Sequence, residues 1–392
     1  MTSPHFVNAL TEDPLLQDAL HRLEIQVAPS LRALGRPDLA LVFFTPHFSS
    51  QVEALQSGIR DFCRPRHLLG AGAAGVIGAG REIEDAPAIS LTLGWLPQAR
   101  IAPLLLHHEN WNALVNSETA FREAFPIPED TRCLLLLADP FSVPIGGLLD
   151  ALNDYYPGLP AAGGMASAGR TPGNNVLLCD GQRATRGLAA LALGGDFQTA
   201  FTLAQGCRPI GEPLSVTLAH RNVILRLENS PATEQLQQVI EGLPREMHAL
   251  VRQGVFMGCA IDPHKEQYGR GDFLIRPIIG LDQRSGAIAL SDYVRSGDVV
   301  QFFVRDPHTA AEDLEMLLLP HSFRPAPAGA LLFTCIGRGR DLYGHPDGDV
   351  AIIRESLGAD LPLGGMFCNG EIGMVGGKNY LHGHSASLVL FW

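Results

Sequence analysis

The sequence predicts an α+β fold: internally repeated β-loop-α-β-β units forming mainly antiparallel sheets packed together, with outer helices. Three observations carry this. First, one order of elements recurs at "LALVFFTPHFSSQVEALQSGI", "RCLLLLADPFSVPIGGLLDALNDYY" and "GALLFTCIGRGRDLYGHPDGDVAIIRESLGAD". Each copy reads as a buried apolar strand, a polar or Gly/Pro loop and an amphipathic helix. Second, each copy runs on into a strand of small residues, a loop and an alternating strand, as in "HLLGAGAAGVIGAGREIEDAPAISLTLGWL". Third, strands elsewhere are joined by hairpin-length turns, which implies antiparallel pairing because parallel strands need longer crossovers.

The elements follow in order. Residues 1–38 read as a helical lead-in, opened by Asp13-Pro14, with Leu16, Ala19, Leu20 and Leu23 facing inward. Residues 39–225 hold the first two copies and form one domain. A boundary falls between Arg221 and Ser230, and residues 226–392 form the second domain. There Ser230 reads as an N-cap and Pro231 as the first helical position, with Leu236, Val239, Ile240 and Leu243 on one face. Phe273–Ile279, Ala287–Leu290 and Val299–Val304 are short apolar runs between Gly, Asp and Ser turns, and so read as strands. Asp306-Pro307 opens another helix, with Ala310, Ala311, Leu314, Leu317 and Leu318 recurring on one side.

Charge and cysteine usage narrow the function classes. The formal net charge is −12, which argues against nucleic acid or an anionic membrane surface as the main partner, since both select basic patches. The seven cysteines are scattered and include no CxxC pair, so they read as reduced thiols of a cytoplasmic protein. "MTSPHFVNAL" lacks the basic start and apolar run of a signal peptide, and no segment reads as a membrane span.

Several motifs offer chemistry. Gly70, Gly72 and Gly75 match GxGxxG, but a dinucleotide fingerprint needs a following helix, and "VIGAGREIED" is a poor one. The run reads instead as a small-residue strand against which another backbone packs. The closing stretch, "LPLGGMFCNGEIGMVGGKNYLHGHSASLVLFW", is richer. His382 and His384 are two apart, so on one strand they would face the same side. Cys368 could act as a thiolate with His382 as base, yet no oxyanion-hole signature accompanies it, and the chain is read as a non-enzyme. Glu371 sits between glycines, open to backbone N–H groups or a ligand amine. "CIGRGRDLYG" places Cys335, Arg338, Gly339 and Tyr343 directly after a buried strand, and Arg338 suits a carboxylate or phosphate in bidentate geometry. Arg276 follows in "YGRGDFLIRP", where "RGD" reads as coincidence. Cys368, Asn369, Glu371, His382 and His384 exceed what the other two copies carry. The ligand site is therefore placed at Cys335, Arg338, Gly339, Tyr343, Cys368, Asn369, Glu371, His382 and His384, with Arg276.

These residues carry a family resemblance. "LPLGGMFCNGEIGMVGG…YLHGHSASLVLF", with "GALLFTCIGRGRDLYG" before it, resembles the C-terminal FIST domain. "LLGAGAAGVIGAG…APAISLTLGWL" and "LPAAGGMASAG…RGLAALALGG" resemble the N-terminal FIST domain, so the likeness runs from about Leu39 to Trp392. Met374 departs from it, standing where the family usually has proline after "EIG". The resemblance implies an intracellular sensory module of the stand-alone type that binds a small, amino-acid-like ligand. It implies a separate signalling partner, such as a histidine kinase or a cyclic-dinucleotide enzyme. Some stand-alone relatives bind haem and sense nitric oxide, which makes His382 the first choice for a haem axial ligand.

Overall fold

The computed structural model describes residues 3–392. It is an α+β protein with two compact units that are not contiguous in sequence. The first comprises residues up to Leu203, Leu314–Leu381 and Ser385–Trp392; the second comprises Ala204–Asp313 and His382–His384.

The first unit holds three six-stranded sheets with one plan. In spatial order, the first sheet is His5–Thr11, Ile89–Trp95, Leu39–Phe44, His67–Gly72, Leu177–Cys179 and Gln182–Ala184. The second is Arg100–Leu106, Leu188–Gly194, Thr131–Ala138, Ala161–Met165, Glu371–Val375 and Lys378–His382. The third is Thr199–Gln205, Ser385–Phe391, Gly329–Cys335, Leu363–Cys368, Gly75–Gly78 and Arg81–Glu84. Each contains one parallel pair, joined through a helix: Val52–Cys63, Ile145–Tyr155 or Gly348–Leu357.

The last two strands of each sheet form a hairpin that belongs, in chain order, to another sheet. Residues 75–84 leave the first sheet and pair with Leu363–Cys368 of the third. Residues 177–184 leave the second and pair with His67–Gly72 of the first. The hairpin after Cys368 leaves the third and pairs with Ala161–Met165 of the second. The sequence reading took this segment of each copy as the loop between its small-residue strand and its alternating strand.

Both faces of the central strands are buried, so they read as unbroken apolar runs. Leu41 and Phe43 turn inward to a core shared with Leu135 and Leu137 of the second sheet and Leu331 and Phe333 of the third. Val42 and Phe44 turn outward, under Leu23, Leu55 and Ile59 of the helices Leu16–Leu34 and Val52–Cys63. Strand and crossover partner approach so closely that Gly70, Gly163 and Gly365 stand at matching positions. A side chain there would land on the carbonyls of Val42, Leu136 and Leu332.

The second unit is an antiparallel barrel. Its strands run Cys207–His220, Val299–Arg305, Val255–Ala260, Phe273–Asp282, Ala287–Leu290 and Val223–Leu227, and the last pairs back onto the first. Closure removes free edges. Its interior is filled by Ile224, Met257, Ile288, Val300 and Phe302.

Local details differ from the sequence reading in two places. The lead-in begins with a strand, His5–Thr11, ahead of its helix. Ser230 is not an N-cap: it pairs with Leu227, and the helix begins at Ala232 with Thr233 N–H donating to the Gly286 carbonyl. A tertiary acceptor replaces the side-chain cap. Asp306, by contrast, does cap its helix, accepting from His308 N–H at 3.1 Å and Thr309 Oγ1 at 2.8 Å.

Candidate functional site

The residues singled out in the sequence fall into both compact units. Cys335, Arg338, Gly339, Tyr343, Cys368, Asn369 and Glu371 belong to the three-sheet unit; Arg276, His382 and His384 belong to the barrel unit.

Arg338 follows the strand Gly329–Cys335 in a turn closed by its N–H on the Cys335 carbonyl. It is fully buried. Its Nε donates to Asp349 Oδ2 at 2.9 Å and its Nη2 to Oδ1 at 2.6 Å. Tyr343 Oη lies 2.8 Å from both Arg338 Nη2 and Asp349 Oδ1, and Thr334 Oγ1 donates to Asp349 at 2.7 Å. Burial pushes the Asp349 carboxyl up, but the Arg338 charge and these donors outweigh it and hold it below the usual carboxylate range. Burial pushes the Tyr343 phenol up.

Two carboxylates from the exchanged hairpin complete this wall. Glu82 accepts from Val350 N–H at 3.0 Å, and Glu84 from Arg340 N–H at 3.0 Å. Burial, then the Asp349 charge, raises Glu82. Gly339 has φ +56°, and a Cβ there would stand 2.6 Å from Glu84 Oε1, so only glycine fits. With its bidentate face on Asp349, Arg338 is committed inside the protein rather than offered to a ligand.

The closing stretch is similarly enclosed. Cys368 is buried, and a side chain at Gly164 would collide with its Sγ. Burial, then the Glu371 charge, drives its thiol well above the ordinary range, the opposite of what a thiolate nucleophile needs. Glu371 is buried too, with Oε2 accepting from Ser385 N–H at 3.2 Å and Ser385 Oγ at 2.7 Å. Burial raises its carboxyl to about 8, so at neutral pH it is mostly protonated. Asn369 is exposed, its N–H donating to the Met165 carbonyl.

His382 and His384 do not share a strand. His382 ends Lys378–His382, whereas His384 lies in the following turn at φ +57°. Its ring meets Phe256 edge-on at 4.3 Å, and its carbonyl accepts from Gly206 N–H at 2.9 Å. Arg276 donates to Asp292 at 2.7 Å. Gly70, Gly72 and Gly75 lie in the strands His67–Gly72 and Gly75–Gly78, with no helix between.

A cavity of about 660 Å³ opens in the barrel unit, lined by none of those residues. Such a volume suits a small molecule. Phe273 and Phe303, with ring centroids 5.5 Å apart, form an apolar wall, and Tyr268 stands 5.1 Å from Phe273. Charged residues also line it. Arg270 reaches Glu312 at 3.2 Å and Asp313 at 3.7 Å, Arg208 reaches Asp306 at 3.6 Å, and His308 faces Glu312 at 3.4 Å. Gln205 fixes the back, its Nε2 donating to the Phe273 carbonyl at 2.7 Å and its N–H to Asp313.

Haem, the cofactor the resemblance implied, does not match these residues. His382 is 3 % exposed, leaving no open face for a macrocycle. The barrel cavity is bordered by five charged side chains besides His308, not by the broad apolar slot a haem occupies. Neither place fits haem held by His382. Among the described residues, no three His, Cys, Asp or Glu side chains form a metal-ligating group.

One unit is a closed barrel with an amphipathic cavity and the other holds sheets with a buried polar wall, which defines a binding module of the α+β class. A FIST N domain model matches residues 38–230 and a FIST C domain model matches residues 232–374; the chain belongs to the FIST family, whose domains are linked to small-ligand sensing in signal transduction. It is similar to an uncharacterized Mycobacterium tuberculosis protein, 36% identical over 359 residues, covering 91% of this chain and 92% of that one. It is also similar to an uncharacterized Mycobacterium bovis protein, 35% identical over 357 residues, with 91% and 90% covered. Its likeness to T. maritima PurL complexed with ATP has a TM-score of 0.23 and 9% identity, covering 99% of this chain and 71% of that one, too low to carry a shared fold. No helix among the described residues is long and apolar enough to cross a membrane.

Proposed function

We propose that this FIST protein is a sensor that binds an amino-acid-like molecule in the barrel cavity and relays occupancy to a separate signalling protein, such as a histidine kinase or a cyclic-dinucleotide enzyme. One observation carries the reading: the cavity sets a guanidinium, Arg270, beside the carboxylates of Glu312 and Asp313, in a lining that also holds Phe273 and Phe303. A zwitterion matches this on both charges. Its carboxylate competes for Arg270, its ammonium takes the released carboxylates, and an apolar side chain covers the aromatic wall. A cytoplasmic setting agrees with seven cysteines standing as free thiols.

Thermal shift and calorimetric titration of the full chain against single amino acids, nucleotides and haem test the proposal. A ligand that binds only the native state raises the melting temperature. One or more amino acids are expected to do so, and Arg270→Ala is expected to weaken that binding at least about tenfold. No shift with any amino acid at millimolar concentration, or a shift that survives Arg270→Ala unchanged, overturns it.

A further inference from the structure

The charges that line the barrel cavity do not balance. Three carboxylates, Glu212, Glu312 and Asp313, stand against two guanidiniums, Arg208 and Arg270. Both guanidiniums are engaged elsewhere than at Glu212: Arg270 with Glu312 and Asp313, and Arg208 with Asp306. His308 likewise faces Glu312. The Glu212 carboxylate is exposed and meets no partner among the described residues. A bulge puts it there. Ile210 pairs with Phe302 and Leu214 with Val300, so Gly211, Glu212 and Pro213 oppose Gln301 alone. Gln301 Nε2 holds the bulge by donating to the Gly211 carbonyl at 2.7 Å, and Gly211 takes φ +66°. Bulges re-aim a side chain away from the direction that strand alternation gives it, and they gather beside binding sites.

We propose that the ligand is a basic amino acid whose side-chain ammonium or guanidinium is held by Glu212; this rests on the amino-acid reading of the cavity and narrows it. Any amino acid can set its carboxylate on Arg270 and its α-ammonium on the released Glu312 and Asp313. That exchange is neutral and leaves Glu212 unmet. A second cation on the ligand supplies the missing charge. The methylene stem of such a side chain is the apolar surface for Phe273 and Phe303, since long cationic side chains bury their stems and keep the charged head in water. The exposed Glu212 carboxylate suits that head. At about 660 Å³ the cavity has room for an extended side chain. An acidic amino acid would add a carboxylate where carboxylates are already in excess.

Calorimetric titration of the full chain with L-lysine, L-arginine, L-norleucine and L-glutamate tests this. Norleucine has the carbon chain of lysine without the ε-ammonium, so that pair isolates the charge and needs no variant. Lysine or arginine is expected to bind about tenfold or more tightly than norleucine, with glutamate the weakest. In Glu212→Gln, with circular dichroism confirming the parent fold, lysine and norleucine are expected to bind within about threefold of each other. Norleucine binding as tightly as lysine and arginine overturns the proposal and leaves the amino-acid reading standing. A lysine preference that survives Glu212→Gln unchanged also overturns it. Failure of every amino acid to bind removes both.

Discussion

Arg338 and Arg270 are both arginines among carboxylates, but they sit in opposite surroundings. Arg338 is closed from solvent and meets Asp349 with two of its nitrogens, while Tyr343 and Thr334 also donate to that carboxylate. Arg270 is 46% exposed, and its partners Glu312 and Asp313 share the wall of an open cavity. A buried charge must be fully satisfied within the protein, because leaving it unpaired costs several kcal/mol. A half-exposed charge holds its partners loosely and can trade them. The conspicuous motif therefore builds a wall, and the inconspicuous one is open to a ligand.

Five substitutions sharpen that contrast. Arg338→Met strands Asp349 in the interior and is expected to lower stability by about 3–5 kcal/mol in urea unfolding, whereas Arg270→Met lowers it by less than about 1 kcal/mol. Equal losses would remove the distinction.

Glu371 gives the wall a pH signature. Its carboxyl titrates near about 4.3 when unfolded and at about 8 when folded. Between those values the folded state holds the extra proton. Its contribution is therefore complete below the lower value and fades as pH rises through the upper one, by at most about 1.4 kcal/mol per unit. Melting temperatures from pH 5 to 8.5 should fall, and Glu371→Gln should flatten the fall.

Gly258 probes the cavity from behind, because a Cβ there would strike the Phe303 ring and reach within 3.0 Å of the Phe273 Cβ. Gly258→Ala is expected to push the aromatic wall inward and weaken ligand binding about tenfold, at a stability loss of about 1–2 kcal/mol; calorimetric titration and a urea melt check the two together. A smaller effect belongs to Arg276→Ala, which loses an ion pair with the half-exposed Asp292 carboxylate and is expected to change stability by about 1 kcal/mol in the same melt.

Much of the fold was legible because its signals are local. "LALVFF" announces a strand buried on both faces, and Asp306-Pro307 announces a helix start that the structure keeps. The exchanged hairpins were not legible, since nothing in "GVIG" says which edge it will join. The site divides in the same way. Arg338 and Tyr343 stood out as a short motif, but Glu82 binds Val350 from 268 positions away. The cavity draws its lining from three separate stretches, around Cys207, Arg270 and His308, none of them a recognisable motif. Its one local sign was the glycine-flanked Arg270, set aside as part of a coincidental tripeptide.

The exchanged hairpins also set a timetable. A ribosome delivers roughly 5–20 residues per second. The hairpin 75–84 emerges early, yet its partner strand, Leu363–Cys368, follows about 280 residues later, a wait of roughly 15–55 s. During that interval a glycine-rich strand pair has no edge to join, and unpaired edges invite association between chains. The second sheet waits in turn for the residues after Cys368, and so stays open almost to the end of synthesis. Nascent chains of this protein should therefore depend on a chaperone that shields strand edges far more than the finished, closed molecule does.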